Sequence, residues 1–150
     1  MSLGCGCPGS MMKVIDRDTT GTPPAGRAQS ELRQWPVQLH LVPPTAPYFQ
    51  NADILVAADC VAFALGSFHQ DLLKGKALAI ACPKLDDSTG YVEKLSSIFQ
   101  GSDVKSITIA IMEVPCCRGL DILVRRALTI SGKDIPVETL IIGTDGERRN

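Results

Sequence analysis

Four short apolar runs, each the length of a β-strand, recur along this chain with helical spacing between them. They are DILVAA (53–58), KALAIA (76–81), VKSITIAIM (104–112) and VETLIIG (137–143). Runs that are apolar on both faces suit strands covered by helices on either side, which is the setting of parallel sheets. The intervening segments fit that role. VAFALGSFHQDLLKG (61–75) reads as one or two helical pieces, broken near Gly66 and stopped by Gly75. Asp87 or Ser88 is placed to cap a helix that carries Tyr91, Leu95, Ile98 and Phe99 on one face and ends at Gly101. In CRGLDILVRRALTIS (117–131), Leu120, Leu123, Val124 and Leu128 turn inward and Arg125 and Arg126 outward, with Gly132 as the stop.

The segment 37–43, beginning VQLHLV, reads as a further strand closed by Pro43–Pro44, and Thr45 can cap a short turn through APYFQN. Strand and helix thus alternate from residue 31 onward. The expected fold is a three-layer α/β domain with a mostly parallel sheet of about five strands, Rossmann-like or flavodoxin-like. Residues 31–143 form this single domain. Residues 1–30, rich in Gly, Pro and Thr, read as an arm or linker carrying the C-x-C of Cys5 and Cys7, and 144–150 as a polar tail.

Bulk properties narrow the function classes. With 150 residues the chain can bury a core without disulfide staples. A net charge of −1 offers no basic footprint for nucleic acid. No apolar run approaches the roughly 18 residues of a membrane span. The start, MSLGCGCPGS, lacks the layout of a secretory signal. Six cysteines without such a signal point to a reducing, cytoplasmic setting, where clustered thiols serve metals or redox chemistry more than disulfide staples.

The placement of those cysteines is the sharpest functional signal. Cys60 follows DILVAAD, Cys82 follows KALAIA, and Cys116–Cys117 follow ITIAIMEVP. Strands of an open parallel sheet end on one edge, and ligands bind in the crevice outside it. The four cysteines are therefore candidate ligands of a rim site, with His69 as a further ligand and Cys5 and Cys7 as more remote ones. Thiolates select zinc, Cu(I) or iron–sulfur clusters, so an iron–sulfur cluster or zinc is the expected cofactor if a metal is bound. Cys116 and Cys117 lie at a helix N-terminus beside Arg118, a setting that favours thiolate. The plain alternative is that free cysteines pack as small apolar residues. Asp59 is placed to orient a ligand or cap the helix at Val61, and Asp86 and Asp87 to cap the next helix. A Cys117 nucleophile would need a base, for which His69 and His40 are the available histidines. No G-x-G-x-x-G, Walker A or G-x-S-x-G motif is present.

Four strings, QWPVQLHLVPPTAPYF, ADILVAADCVAFALGSFHQDLLKGK, ACPKLDDSTGYVEKL and MEVPCCRGL, resemble the C-terminal region of ferredoxin-like iron–sulfur proteins of anaerobic bacteria. The resemblance covers about residues 31–142, with GCPGS at the junction. It implies an electron-transfer context, with a redox protein or ferredoxin module as partner. The cysteine motifs of the ferredoxin module itself are missing. Cys60, Cys82, Cys116 and Cys117 match the family strings. Two readings follow: a redox-associated accessory domain with a cysteine-lined metal, cluster or thiol site, or a module that docks a partner or forms a homodimer while its cysteines only pack.

Overall fold

A computed structural model of the chain describes residues 8–17 and 26–150. Two short strands, β1 (Lys13–Val14) and β2 (Gln34–Trp35), pair antiparallel and hold the described part of the N-terminal arm against the domain. The indole N–H of Trp35 donates to the Gly9 carbonyl at 2.8 Å and strengthens this attachment.

The main sheet contains β3 (Asp53–Ala58), β4 (Lys76–Ala81), β5 (Ser106–Met112) and β6 (Val137–Ile142). Its order is β4-β3-β5-β6 and every pairing is parallel. Between the strands run α1 (Val61–Ala64), α2 (Tyr91–Gly101) and α3 (Arg118–Ser131). This is an α/β fold with four strands rather than about five. From β3 the chain crosses to β4 on one side and then to β5 on the other, so the strand order reverses beside β3. In open α/β sheets that reversal opens a crevice outside the C-terminal strand ends.

The segment 37–43 does not become a strand because its own first turn captures its hydrogen bonds. It makes one parallel rung with β4: the Leu39 N–H donates to the Ile80 carbonyl and the Ile80 N–H to the Val37 carbonyl, both at 2.9 Å. Then the Gln38 carbonyl accepts from the Leu41 and Val42 N–H groups, while its side-chain oxygen accepts from the His40 N–H. Lys94 donates from α2 to the Leu39 and His40 carbonyls and pins the turn. The β4 edge is completed by a side chain. The amide of buried Gln34 accepts from the Leu78 N–H and donates to the Leu78 carbonyl, both at 2.7 Å, doing what a neighbouring peptide would do.

Side-chain alternation gives each face its cover. Ile54, Val56, Ile107, Ile109 and Ile111 share the face on which α3 packs, as the bond from Thr139 to Asp121 shows. There α2 buries Tyr91, Leu95, Ile98 and Phe99, and α3 buries Leu120, Val124 and Ala127. Gly132 closes α3 in the left-handed conformation at φ 69°. On the other face lie the two helical pieces expected over 61–75, α1 and a π-type turn at His69–Leu73, separated around Gly66 and ending before Gly75. The last residues are docked. Gly143 donates to the Glu147 carbonyl, and Arg149 pairs with Glu113 at 2.9 Å and with Asp145 at 3.0 Å. Gly146 is required there: its φ is 86° and an added Cβ would come within 2.6 Å of the Ala64 carbonyl oxygen.

Candidate functional site

Three chain segments meet where the strand order reverses. β3 delivers Asp59 and Cys60, β4 delivers Cys82, and β5 delivers Cys116 and Cys117 through a 3₁₀ turn, Pro115–Cys117. Pro115 begins that turn because it donates no ladder hydrogen bond. The outgoing chains touch: a Cβ on Gly119 would lie 3.1 Å from the Cβ of Pro83, so the first turn of α3 sits directly on the Cys82–Pro83 bend.

The cysteines differ in exposure. Cys60 and Cys116 are exposed, Cys82 is half-buried and Cys117 is buried. Cys116 and Cys117 are consecutive residues of the 3₁₀ turn after β5, and Cys60 leaves the end of the adjacent strand β3. Burial pushes the Cys117 thiol above its ordinary pKa, and its Cys116 and Cys60 neighbours add to this, outweighing a backbone hydrogen bond at Met112. This corrects the expectation of a Cys117 thiolate stabilised by the helix N-terminus. Packing beneath the turn removes the solvent that a thiolate needs.

Cys82 is held inside its own bend. Its N–H donates to Asp86 at 3.0 Å, and its sulfur accepts from the Leu85 N–H at 3.4 Å. Asp86 is therefore the tie of this turn and caps no helix; it also accepts from Gln38 and from the Tyr91 hydroxyl. Burial alone would raise the Asp86 carboxyl, but the bonds from Tyr91, Cys82 and Gln38, with nearby His40, hold it below its ordinary value. Asp87 accepts from the Thr89 N–H two residues on, and α2 begins after Gly90 with no side-chain cap. The Gln38–Asp86–Tyr91 network had no signal in sequence, because it joins three segments through side-chain tips.

His69 is engaged by neighbours other than the thiols. Its Nδ1 accepts from the Glu31 N–H at 3.0 Å, and the ring stands edge-on to Phe68. With Asp59 it lines an apolar cavity of about 230 Å³ under Phe63 and Phe68. Among the described residues, no group of three or more His, Cys, Asp or Glu side chains is placed to hold a metal ion. The described donors of the expected set, Cys60, Cys82, Cys116, Cys117 and His69, thus do not fit an iron–sulfur cluster or zinc. One sulfur is packed, one is engaged in its turn, and the imidazole faces the cavity. Cys5 and Cys7 lie outside the described residues.

Asp59 is the anomalous group of the rim. Its Oδ1 is buried and has no hydrogen-bond partner, and α1 has no side-chain cap, so Asp59 does not cap it. Burial raises the Asp59 carboxyl, and the charge of Asp86 raises it further. A raised folded-state pKa makes ionisation costly to the fold. That cost is absent below the ordinary carboxylate range and grows as pH rises through the raised value. Asp59→Asn should accordingly stabilise the protein modestly near pH 7, solvent screening reducing the gain at this partly exposed group, and leave it unchanged near pH 3. Urea midpoints at the two pH values test this, and equal effects at both would refute it.

The geometry after β3 also bears on nucleotide binding. A dinucleotide site places a glycine-rich turn and a long helix there, with the pyrophosphate at the helix N-terminus. Here Asp59 and Cys60 lead into the four-residue α1. Residues 46–149 nonetheless match the Rossmann-like domain family, and the chain belongs to that family. It is 36% identical over 116 residues to an uncharacterised protein of Archaeoglobus fulgidus, spanning 77% of this chain and 81% of the relative. No solved structure matches the chain. Among the described residues, no helix is long and apolar enough to cross a membrane.

Proposed function

We propose that this Rossmann-like domain is a thiol redox module serving an iron–sulfur electron-transfer protein, with Cys60 and Cys117 as its working pair. The observation that carries this reading is that β3 and β5 are parallel neighbours, so Cys60 and the Cys116–Cys117 turn leave adjacent strand ends at the point where the strand order reverses. Oxidation joins the two sulfurs. Each thiol loses one hydrogen, and the two electrons and two protons leave together. The electron pair passes to a disulfide or other two-electron acceptor of the redox partner, which takes up the two protons as it is reduced. Cys60 is exposed and accessible to exchange, and in this reading the buried Cys117 is the resolving thiol. The resemblance of residues 31–142 to ferredoxin-like proteins supports the electron-transfer context.

A partner-docking role accompanies this chemistry. Phe63 and Leu85 are 92% and 83% exposed, and each lies within three residues of a rim cysteine. Large apolar side chains this exposed suit a contact surface for the partner. The test is an intact-mass measurement on protein poised in a thiol–disulfide redox buffer, followed by peptide mapping. The expected result is reversible loss of two hydrogens mapped to Cys60–Cys117, abolished in Cys60→Ser. Rim thiols that stay reduced at every potential would overturn the reading. So would stoichiometric metal with thiolate charge-transfer absorption in anaerobically purified protein.

A further inference from the structure

One face of the sheet is covered incompletely, and the gap has the shape and chemistry of a ligand site. A crossover between parallel strands ordinarily carries a helix that lies along the sheet face. The crossover from β3 to β4 has only the four residues of α1 and the five of the π-type turn at His69–Leu73. Between these pieces and the sheet remains the half-open cavity of about 230 Å³. Its floor is the sheet itself. Ala57 and Ile80 are register partners, and Leu78 lies two residues before Ile80 on the same face. The walls carry the rings of Phe63, Phe68 and His69, with Phe63 92% exposed at the mouth. Single π-type turns are rare and recur at functional sites, and this one brings His69 to the cavity.

The lining sets the class of ligand. It is almost wholly apolar, so water inside finds few partners and an apolar group displaces it favourably. No lysine or arginine lines the cavity and Asp59 is its one acidic residue, so an anion has no counter-charge there and a buried charge is costly. One polar contact is on offer. The Nδ1 of His69 accepts from the Glu31 N–H, so in the neutral ring the proton sits on Nε2. That nitrogen has no hydrogen-bond partner among the described residues, and it is not one of their buried unpaired atoms, so it remains a reachable donor. Size completes the description. An apolar cavity of about 150 Å³ takes a benzene ring. At about 230 Å³ this one takes a single aromatic ring with a short substituent and is too small for a nucleotide.

We propose that this cavity binds a small, uncharged aromatic molecule carrying one hydrogen-bond acceptor, its ring over Ala57, Leu78 and Ile80 and its acceptor on the Nε2 of His69. Phe63 and Phe68 offer the ring contacts that favour an aromatic over an aliphatic body. The site lies on the sheet face, and its occupancy does not depend on disulfide chemistry at Cys60 and Cys117.

Titration of the whole protein with acetophenone, toluene and benzoate, followed by amide NMR, tests the proposal. Acetophenone has the ring and a neutral acceptor, toluene the ring alone, and benzoate a negative charge. Saturable shifts confined to residues around the cavity are expected with acetophenone, several-fold weaker binding with toluene, and none with benzoate at neutral pH. Ala62→Trp puts a large side chain at an exposed position of the lining, where folding tolerates it, and should weaken acetophenone by about tenfold or more. His69→Phe keeps a ring and removes the donor, so acetophenone should lose its advantage over toluene. No saturable binding of acetophenone would overturn the proposal, as would wild-type affinity in Ala62→Trp or benzoate binding as tightly as acetophenone. An undiminished preference for acetophenone in His69→Phe would overturn the assignment of the donor to His69.

Discussion

Gln34→Ala should destabilise the protein by about 3 kcal/mol, because it strips partners from two buried backbone groups at once. The Leu78 N–H and carbonyl are paired to the Gln34 side chain at 2.7 Å each, and Leu78 is 5% exposed. Truncation leaves both groups without water or protein to pair with. A third bond, from the amide to the Pro36 carbonyl, is lost with them. Gln34→Glu distinguishes the hydrogen bonds from the volume. It keeps the size and the acceptor but loses the donor, and should cost nearly as much. Urea denaturation measures both, read as a shifted midpoint at constant slope. A loss under about 1 kcal/mol in Gln34→Ala would mean that the segment before β4 adjusts to supply its own peptide groups.

Leu120→Ala should cost about 3 kcal/mol and also alter the rim chemistry. Leu120 is fully buried in the first turn of α3, three residues after Cys117. Its removal leaves a cavity under the turn that holds Cys116 and Cys117 in place. The expected second effect is faster alkylation of Cys117, with Cys60, already exposed, unaffected. Val124→Ala, a turn further along the same buried face, is the control. It should destabilise α3 without selectively exposing Cys117. Equal alkylation rates at Cys117 in the wild-type and both variant proteins would show that the 3₁₀ turn is held independently of α3.

The resting state of the rim follows from the same contacts. Cys117 is kept protonated by its packing, and Cys82 by its bend is tied to Asp86. A metal-thiolate site needs deprotonated sulfurs free to converge. A dithiol needs only two sulfurs, one reachable from solvent, and Cys60 provides that.

Much of the fold was legible in the sequence. DILVAA, KALAIA and ITIAIM are apolar at nearly every position and are buried almost throughout, as strands covered on both faces are, while VETLII carries Glu138 and Thr139 and is only partly buried. The spacing of Tyr91, Leu95, Ile98 and Phe99 identified the inner face of α2, and all four are buried. Gly132 marked the end of α3 because a left-handed residue was required there. VQLHLV misled for a definite reason. Its composition is that of a strand, but Gln38 offers the following N–H groups a local acceptor that outcompetes the edge of β4. His69 misled because helical spacing says nothing about which neighbour an imidazole meets, and Glu31 meets it first.

By itself, then, the sequence determined the class of the domain, the strand segments and the assembly of cysteine-bearing loops at one edge, since these follow from local periodicity and the common polarity of parallel strands. Only the tertiary structure decided the strand order, the replacement of an edge strand by one glutamine side chain, the burial of Cys117 and the bonding of Asp86 to Gln38 and Tyr91. Those features depend on contacts between residues distant in the chain, where packing and the satisfaction of buried polar groups outweigh any local preference.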